Sequence, residues 1–381
     1  MQPQYSIVAF SHLRWNFVYQ RPQHLLSRLA AKRPVFFVEE PEFDPKGPPR
    51  WERSQPQPNV VVLRPCTPVK VVGFHADQLP ALEPLIAELA AELEGSTLVA
   101  WLYTPMALPL AQALAPAATV YDCMDELSLF LGAPPELLSR EAALLECADV
   151  MFTGGPSLFR AKQNRHPNVH CFPSSVDAAH FRVAPVGSQP GVSEAEDQVG
   201  LPHPRLGFYG VINERLDLQL LDFIAGAHPE WEIVLVGPVV KIDAATLPRR
   251  KNIHYFGQRS YDDLPRYLAG WDVCLLPFAR NDATRFISPT KTLEYMAAEL
   301  PIVSTPITDV AEPYGDIVYL GDTPEQFLAA CEAALAAGAA ERARRAAQMR
   351  RVLAGTSWDV TVSAMEKLLA AAVAKKATVP A

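Results

Sequence analysis

The sequence lacks the short motifs of several large enzyme classes. It has only 19 glycines among 381 residues, below the average share of about 7%, and no G-x-x-x-x-G-K-[ST], G-x-G-x-x-G, G-x-S-x-G or H-E-x-x-H pattern. These patterns mark phosphate-loop NTPases, dinucleotide enzymes, α/β-hydrolases and zinc peptidases. The chain therefore has no signature of these four classes.

Metal and disulfide frameworks are not indicated either. The six cysteines form no C-x-x-C pair, the nine histidines show no metal-ligand spacing, and no Asp-x-Asp pair occurs. Scattered cysteines beside apolar residues are typical of reduced thiols in a cytoplasmic protein. We expect no protein-bound metal and no cofactor.

The balance of charge is acidic. Lys and Arg number 34 against 42 Asp and Glu, a net charge of −8, which argues against nucleic acid as a partner because phosphate contact needs a clustered basic face. The start, Met-Gln-Pro-Gln-Tyr, has no basic n-region, so we expect no signal peptide and a cytoplasmic location, with the inner face of the membrane as an alternative.

One stretch, residues 96–121, is uncharged and long enough to cross a bilayer. Pro105, Pro109 and Pro116 interrupt it, so we expect a strand, a short helix and a second strand instead of a membrane span. Peripheral contact with a membrane stays open.

The hydrophobic pattern predicts an α/β fold with two Rossmann-like domains. Short apolar runs alternate with helical segments in both halves of the chain, as in parallel sheets covered by helices. The strands predicted in the first half are 5–10, 35–39, 60–63, 97–103, 118–122, 149–153 and 168–173. We expect an N-terminal domain over 1–183, a linker over 184–204 that is rich in Pro, Gly and Ser, a C-terminal domain over 205–356, and a helix over 357–381.

The segment Ser-Pro-Thr-Lys-Thr-Leu-Glu, residues 288–294, has the chemistry of an anion site. Ser288 is expected to be the N-cap of a helix and Pro289 its first residue. Free amides at this helix end and the positive end of the helix dipole attract phosphate, and Lys291 adds a cation in the first turn. The segment favours diphosphate binding.

Glu294 follows Lys291 by three residues, so both side chains share one helix face. A carboxylate can accept two hydrogen bonds from a vicinal diol, which is how ribose is commonly bound, while the lysine meets the phosphates. The alternative is a surface ion pair on a helix whose other face is buried. The Ser-Pro-Thr-Lys context favours a nucleotide site.

The segment 288–298, Ser-Pro-Thr-Lys-Thr-Leu-Glu-Tyr-Met-Ala-Ala, with Pro-Ile-Val at 301–303, resembles the donor-binding signature of GT-B-type glycosyltransferases. Residues 173–181, 252–257 and 272–277 add looser matches. The resemblance implies two Rossmann-like domains that face each other across a cleft, with the C-terminal helix returning to the N-terminal domain. It also implies transfer of a sugar, most simply from a UDP-sugar, to a saccharide or lipid-linked acceptor, as in bacterial polysaccharide biosynthesis.

The resemblance also assigns roles to residues of the second domain. Glu294 would hold the ribose, Lys291 and Arg215 the diphosphate, and Gly257 and Gln258 would border the base. A solvated arginine in a turn is the alternative for Arg215. The remaining residues of the expected donor site are Ser288, Thr290, Gly210 and Asn213.

One position departs from the family pattern. Retaining members generally carry a second glutamate eight positions before the ribose glutamate, and here that position is Phe286. The sequence therefore leaves open whether the anomeric configuration is retained or inverted.

Polar clusters after the first and fifth strands of the N-terminal domain are expected on the acceptor side, because ligands gather beyond the carboxyl ends of parallel strands. Asp125 and Asp122 are candidates for the general base, and Arg21, Gln23 and His24 for acceptor contacts. The alternatives are that Asp122 caps the following segment and that His24 is packed in its helix.

Two other functions have the same architecture. A nucleotide-sugar epimerase would need no acceptor, but the sequence offers no obvious set of carboxylates and histidines for proton abstraction at a sugar carbon. A non-catalytic, two-lobed sugar-binding protein would be exported, and no export signal is visible. Both rank below the transferase.

Overall fold

The computed structural model describes residues 5–183 and 192–377. The chain divides into two compact units. One contains the residues up to Pro173 together with those from Asp359 onward, and the other runs from Ser174 to Trp358. Both are layered α/β structures built on a mainly parallel sheet, which confirms the predicted fold class.

The first unit contains nine described strands. They are β1 Ser6–Ser11, β2 Val35–Glu39, β3 Glu42–Phe43, β4 Arg50–Gln57, β5 Val60–Thr67, β6 Leu98–Leu102, β7 Ala118–Cys123, β8 Val150–Thr153 and β9 Val169–Cys171. They form one sheet in the order β3-β5-β2-β1-β6-β7-β8-β9, with β4 paired to β5. All of the strand pairs are parallel except β4 with β5. Strands β1 and β2 are buried along their whole length, as expected for apolar strands with helices on both faces.

The helices of this unit lie between its strands in the chain, except that β2 to β5 follow one another without a helix. They are α1 Arg21–Ala30, α2 Leu79–Glu92, α3 Leu108–Ala113, α4 Leu137–Cys147 and α5 Pro156–Lys162, and the C-terminal helix α12 Trp358–Ala377 joins them from Asp359 onward. On α12, Glu366 is buried and accepts hydrogen bonds from Lys32 Nζ at 2.7 Å and Arg33 Nη2 at 2.6 Å. Ion pairs thus attach α12 to the end of α1.

The uncharged stretch at 96–121 folds as predicted, into β6, α3 and the beginning of β7. Pro105 begins a short 3-10 turn ahead of α3, and Pro109 lies in the first turn of α3, where proline costs no hydrogen bond. Of the helices that the structure describes, none is both long and apolar enough to cross a bilayer.

The strands of the second unit are β10 Arg205–Tyr209, β11 Glu232–Val236, β12 Ile253–Gly257, β13 Val273–Leu276, β14 Ile302–Ser304 and β15 Tyr319–Leu320. They form a parallel six-stranded sheet in the order β12-β11-β10-β13-β14-β15. Its helices are α6 Leu218–Ala227, α7 Leu264–Leu268, α8 Thr290–Ala297, α9 Thr308–Tyr314, α10 Pro324–Ala336 and α11 Ala339–Leu353.

The boundary between the units lies at Pro173, earlier than the predicted end of the first domain at residue 183. The reason is packing, because Val176 and Phe181 belong to the hydrophobic core of the second unit. Of the predicted linker, residues 184–191 lie outside the described residues. The rest packs on the second unit, where Gln198 is buried and its amide bonds the Tyr267 carbonyl at 2.9 Å.

Candidate donor site and the loops of the first unit

Helix α8 begins one residue later than the sequence predicts. Pro289 is the N-cap residue, with φ −69° and ψ 119°, and no side chain caps the helix. Ser288, predicted as the N-cap, instead accepts a 3.0 Å hydrogen bond at its carbonyl from Ser174 Oγ. Thr290 Oγ1 donates to the same Ser174 hydroxyl at 3.1 Å. The helix end therefore keeps its first-turn amides clear of any side-chain cap, which suits an anion.

Lys291 lies against the turn that follows β10. Gly210 there has a φ of 137°, and a Cβ at this position would come within 2.3 Å of Lys291 Cε and 2.8 Å of its Nζ. A side chain at this position would displace the end of Lys291 from its place, and glycine adopts this backbone conformation without strain. The Lys291 ammonium lies 5.6 Å from the centre of the Phe208 ring. Gly210 and Lys291, two of the predicted donor residues, are thus in direct proximity.

Glu294 is buried beneath the same strand end. It is 5% exposed, and its Oε2 accepts a 2.5 Å hydrogen bond from the Tyr209 hydroxyl. Burial raises the pKa of the Glu294 carboxyl to about 7, against the opposing effects of the Tyr209 hydrogen bond and the Lys291 ammonium. The alternative of a plain surface ion pair with Lys291 is therefore wrong, because the carboxylate is not at the surface.

The loop from Gly210 to Leu216 is tied to the loop between β13 and α8. Asn213 is buried, and its Oδ1 accepts from the Arg215 backbone amide at 3.1 Å and from Arg215 Nε at 3.4 Å. The Arg215 carbonyl accepts from the Ala279 amide at 2.8 Å. Arg215 is half-buried. The backbone of Arg215 is thus tied to the neighbouring loop, and the diphosphate role of its side chain stays a prediction beside the alternative of a solvated turn arginine.

Gly257 and Gln258 lie at the carboxyl end of β12, and both are exposed. β12 is separated from β10 by β11, so the two strand ends are roughly 10 Å apart. Gly257 has a φ of 68°, and a Cβ there would touch nothing. The two residues flank the strand ends that carry the phosphate and ribose candidates.

In the first unit, Asp122 is not accessible as a general base. Its side chain is 0% exposed, and Arg21 Nε donates to its two oxygens at 3.0 and 3.2 Å. Arg21 is 3% exposed and also donates from Nη1 to the Phe172 carbonyl at 2.7 Å. The predictions of Asp122 as base and Arg21 as acceptor contact are therefore corrected, because the two form a buried ion pair between α1 and β7.

Gln23 and His24 are buried as well. The Gln23 amide donates to the carbonyls of Trp15 at 2.8 Å and Val18 at 3.1 Å, and so supports the loop ahead of α1. His24 is 1% exposed and packs edge-on against Tyr19, with ring centroids 4.6 Å apart. Both side chains are too buried to contact an acceptor saccharide. For His24, the alternative that it is packed in its helix is confirmed.

Asp125 is half-buried in the loop after β7. Its backbone carbonyl accepts a 3.5 Å hydrogen bond from Cys123 Sγ. The next residue, Glu126, is anchored by Lys162 Nζ at 2.6 Å and Ser128 Oγ at 2.8 Å. Of the two predicted bases, Asp125 is the less buried, and it stays a prediction for the general base.

Two residues that contact the candidate donor site were not among the predicted site residues. Tyr209 ends a buried strand and reads as core, yet its hydroxyl binds the Glu294 carboxylate. Ser174 lies far from α8 in the sequence, yet its hydroxyl bonds both Ser288 and Thr290. Within residues 5–183 and 192–377, no group of three or more His, Cys, Asp or Glu side chains is placed to hold a metal ion.

A family model covers most of the second unit. Residues 203–337 match the model described as "Glycosyl transferases group 1". The match begins just before β10, ends after α10 and includes the helix that carries Lys291 and Glu294. It supports the resemblance on the part of the chain where the motif is most specific.

A sequence relative covers more of the chain. The Bacillus subtilis (strain 168) protein named teichuronic acid biosynthesis glycosyltransferase TuaH is 25% identical over 300 residues, which are 73% of this chain and 73% of that protein. This similarity extends beyond the matched domain, and it gives no support to the epimerase alternative.

Solved structures share the whole architecture. Sucrose-phosphate synthase from Thermosynechococcus elongatus aligns with a TM-score of 0.74 at 15% identity, over 98% of this chain and 100% of that one. Anabaena HepE in complex with UDP and glucose aligns with a TM-score of 0.67 at 13% identity, over 96% of this chain and 99% of that one. An E. coli trehalose-6-phosphate enzyme structure with UDP-2-fluoro glucose aligns with a TM-score of 0.65 at 12% identity, over 98% of this chain and 99% of that one. At these identities the likeness establishes the GT-B fold.

Proposed function

We propose that this chain, whose residues 203–337 match the glycosyl transferases group 1 model and whose fold is that of GT-B structures, transfers a sugar from a UDP-sugar to a saccharide or lipid-linked acceptor. The observation that carries the proposal is the group formed by Gly210, Lys291 and Glu294 at the start of α8. The group combines a cation, uncapped helix amides and a buried carboxylate, which are the contacts that a nucleoside diphosphate needs.

The diphosphate is proposed to lie at the start of α8. Lys291 supplies a charge close to the Gly210 turn, and the first-turn amides supply hydrogen-bond donors. Arg215 adds a second cation from the loop after β10, which is hydrogen-bonded to the loop between β13 and α8. As the bond between the sugar and the diphosphate breaks, negative charge develops on the leaving phosphate. Fixed donors stabilise that charge, so this site is proposed to act without a protein-bound metal.

The ribose is proposed to bind Glu294. An ionised carboxylate has about four acceptor positions on two oxygens, and Tyr209 takes one of those on Oε2. Capacity remains for two hydroxyl donors of a pentose. Gly257 and Gln258 would then border the base from the strand end of β12.

The reaction is proposed to need one proton acceptor. In an inverting reaction, the Asp125 carboxylate takes the proton of the acceptor hydroxyl while that oxygen bonds to the anomeric carbon and the bond to the diphosphate breaks. In a retaining reaction the departing phosphate takes the proton. Phe286, which bears no carboxylate, leaves both outcomes as alternatives of the proposal.

The acceptor is proposed to be a growing saccharide, free or lipid-linked. The name of TuaH places that relative in teichuronic acid biosynthesis, and the HepE structure holds UDP and glucose. A cytoplasmic enzyme that works on a lipid-linked saccharide would meet it at the inner face of the membrane. This location is part of the proposal.

A thermal-shift and calorimetric panel of UDP, GDP, dTDP and their glucose conjugates tests the donor site, since a ligand that binds only the native state raises its stability. We expect UDP and UDP-glucose to bind. Glu294→Ala should weaken UDP binding roughly ten- to a hundred-fold, the effect of a lost charged hydrogen bond. Glu325→Ala, at an exposed glutamate of α10, is the control. Unchanged UDP affinity in Glu294→Ala would contradict the ribose role.

A further inference from the structure

The start of α8 has a capping sequence that the structure does not use. Serine followed by proline is a strong signal for an N-cap and a first helical residue, and Ser288 as N-cap would accept a hydrogen bond from the amide of Thr290 or Lys291. Instead Pro289 is the N-cap, and its ring has no acceptor atom. Within the described chain, the first-turn amides of α8 therefore lack the side-chain cap that the sequence offers.

Ser174 binds the residues on both sides of Pro289. Its hydroxyl donates to the Ser288 carbonyl at 3.0 Å and accepts from Thr290 Oγ1 at 3.1 Å. A hydroxyl has one hydrogen to donate, so this arrangement uses the hydrogen of Ser174 and also that of Thr290. The two bonds fix the Ser288 carbonyl, which belongs to the peptide group of Pro289, and the side-chain rotamer of Thr290.

The segment that carries Ser174 is anchored at several other points. Val176 and Phe181 are 1% and 0% exposed in the core of the second unit. The His180 ring lies parallel to the Tyr261 ring, with centroids 4.3 Å apart, and its Nε2 bonds the Tyr261 carbonyl at 3.1 Å. Ser174 therefore has a fixed place from which it can hold the start of α8.

A cap and a phosphate compete for the same amides, because both supply oxygen acceptors to the free N–H groups of the first turn. A serine N-cap favours the capped helix end by roughly a factor of five over a residue without a capping side chain. If only a fraction of the molecules is uncapped, the apparent affinity for an anion falls in proportion to this fraction. Holding the helix end uncapped before a ligand arrives therefore favours anion binding.

We propose that Ser174 is a positioning residue whose two hydrogen bonds keep Ser288 from capping α8, so that the first-turn amides stay available to an anion. That this anion is the diphosphate of the donor rests on the proposed function. The uncapped state of the helix end does not rest on it, because that state can be tested without a ligand. Ser174 acts through α8 and not by contact with the donor.

Hydrogen–deuterium exchange of the ligand-free protein, followed in peptides that span the start of α8, tests the capping step. In Ser174→Ala we expect exchange there to slow by a factor of about 2 to 5, because Ser288 can then cap the Thr290 or Lys291 amide. Ser174→Ala/Ser288→Ala, which removes the competing hydroxyl, should exchange faster than Ser174→Ala. Exchange that is unchanged or faster in Ser174→Ala would overturn the inference, since Ser174 would then only stabilise the helix end.

Titration calorimetry with uridine and UDP tests the link to the donor. Ser174→Ala should bind UDP roughly fivefold more weakly than the wild type and uridine equally well, since uridine has no phosphate. Ser174→Ala/Ser288→Ala should recover part of the affinity for UDP. Ser174→Thr keeps the hydroxyl and should bind UDP more tightly than Ser174→Ala does. An equal loss of affinity for uridine, or no loss for UDP, would overturn the inference.

Thr323→Ala is the matched control, because Thr323 is the N-cap of α10 in the same unit and its Oγ1 accepts from the Gln326 amide at 3.3 Å. Loss of this cap should speed exchange at the start of α10, a change of opposite sign to that in Ser174→Ala, and leave UDP affinity at the wild-type value. A wild-type protein that binds neither uridine nor UDP would overturn the proposed function, while the exchange experiment would still decide the role of Ser174.

Discussion

The hydroxyl of Tyr209 and the carboxylate of Glu294 are joined by a 2.5 Å hydrogen bond between the last residue of β10 and the second turn of α8. Tyr209 also donates its backbone amide to the Tyr295 hydroxyl at 3.2 Å. The strand end thus fixes α8 through two neighbouring side chains. The Glu294 carboxylate is held in one orientation before any ligand arrives, which lowers the entropic cost of binding.

We expect Tyr209→Phe to weaken UDP binding by about 1 kcal/mol, or roughly fivefold, because the Glu294 carboxylate loses the hydrogen bond that orients it but keeps its position beneath β10. Calorimetry with UDP measures the effect. Tyr255→Phe, which removes a hydroxyl bonded to the Pro248 carbonyl, is the control for loss of a tyrosine hydroxyl in the same unit. A Tyr209→Phe protein with wild-type affinity would show that the hydrogen bond does not preorganise the site.

The stability of the ligand-free protein should depend on Glu294 ionisation. Its pKa is about 7 in the folded state and 4.5 as the reference value, so the folded state keeps the proton to higher pH than the unfolded state. The unfolded state therefore binds fewer protons between these values, and this group lowers the free energy of unfolding as pH rises from about 4.5 to 7. Above pH 7 the loss is complete, about 1 to 3 kcal/mol.

Glu294→Gln removes this titration. Urea unfolding between pH 5 and 8 gives the free energy of unfolding of wild type and Glu294→Gln. The difference between these two free energies at each pH measures the contribution of Glu294 ionisation. The free energy of unfolding of the wild type should fall relative to that of Glu294→Gln as pH rises. A difference that stays constant across this range would mean that Glu294 is ionised throughout.

The alternation of apolar runs predicted both sheets, because buried parallel strands such as β1 and β2 are apolar along their whole length. It failed for β4 Arg50–Gln57, whose sequence Arg-Trp-Glu-Arg-Ser-Gln-Pro-Gln is mostly polar. This strand is largely exposed, and its antiparallel pairing with β5 is what defines it. Pairing with a distant strand leaves no pattern in the local sequence.

The part of the candidate donor site on α8 could be predicted from the sequence because Lys291 and Glu294 are local to one helix. Lys291 and Glu294 share a helix face by spacing alone. The first-unit residues were misread because their partners are distant, as Arg21 and Asp122 are 101 positions apart. A polar residue near a strand end looks the same in sequence whether it faces a ligand or a buried partner.

The buried pair of Arg21 and Asp122 should matter for stability. Asp122→Ala leaves the Arg21 guanidinium buried without its carboxylate, and we expect a loss of about 3 to 5 kcal/mol in the free energy of unfolding. The double variant Arg21→Met/Asp122→Leu should lose less, since no uncompensated charge remains. Urea unfolding measures both, and Arg53→Met, at an exposed ion pair with Glu92, is the control. A double variant less stable than Asp122→Ala would contradict this account.

The attachment of α12 should depend on Glu366. Glu366→Ala leaves Arg33, which is 8% exposed, without its carboxylate, and a loss of about 3 kcal/mol is expected. Asp359→Ala on the same helix removes an exposed partner of Arg28 and should cost less than about 1 kcal/mol. Urea unfolding compares the two variants. Equal losses in both would mean that the buried ion pairs do not hold the helix.

Asp125 is the remaining candidate for the general base, and its substitution separates the two stereochemical routes. If Asp125 takes the acceptor proton, Asp125→Asn should lower kcat by a factor of about 100 or more and leave UDP affinity unchanged, since the proposed donor contacts lie in the second unit. Asp77→Asn, at an exposed aspartate of the first unit, is the control. Turnover by Asp125→Asn at the wild-type rate would remove Asp125 from the mechanism and favour the departing phosphate as the proton acceptor.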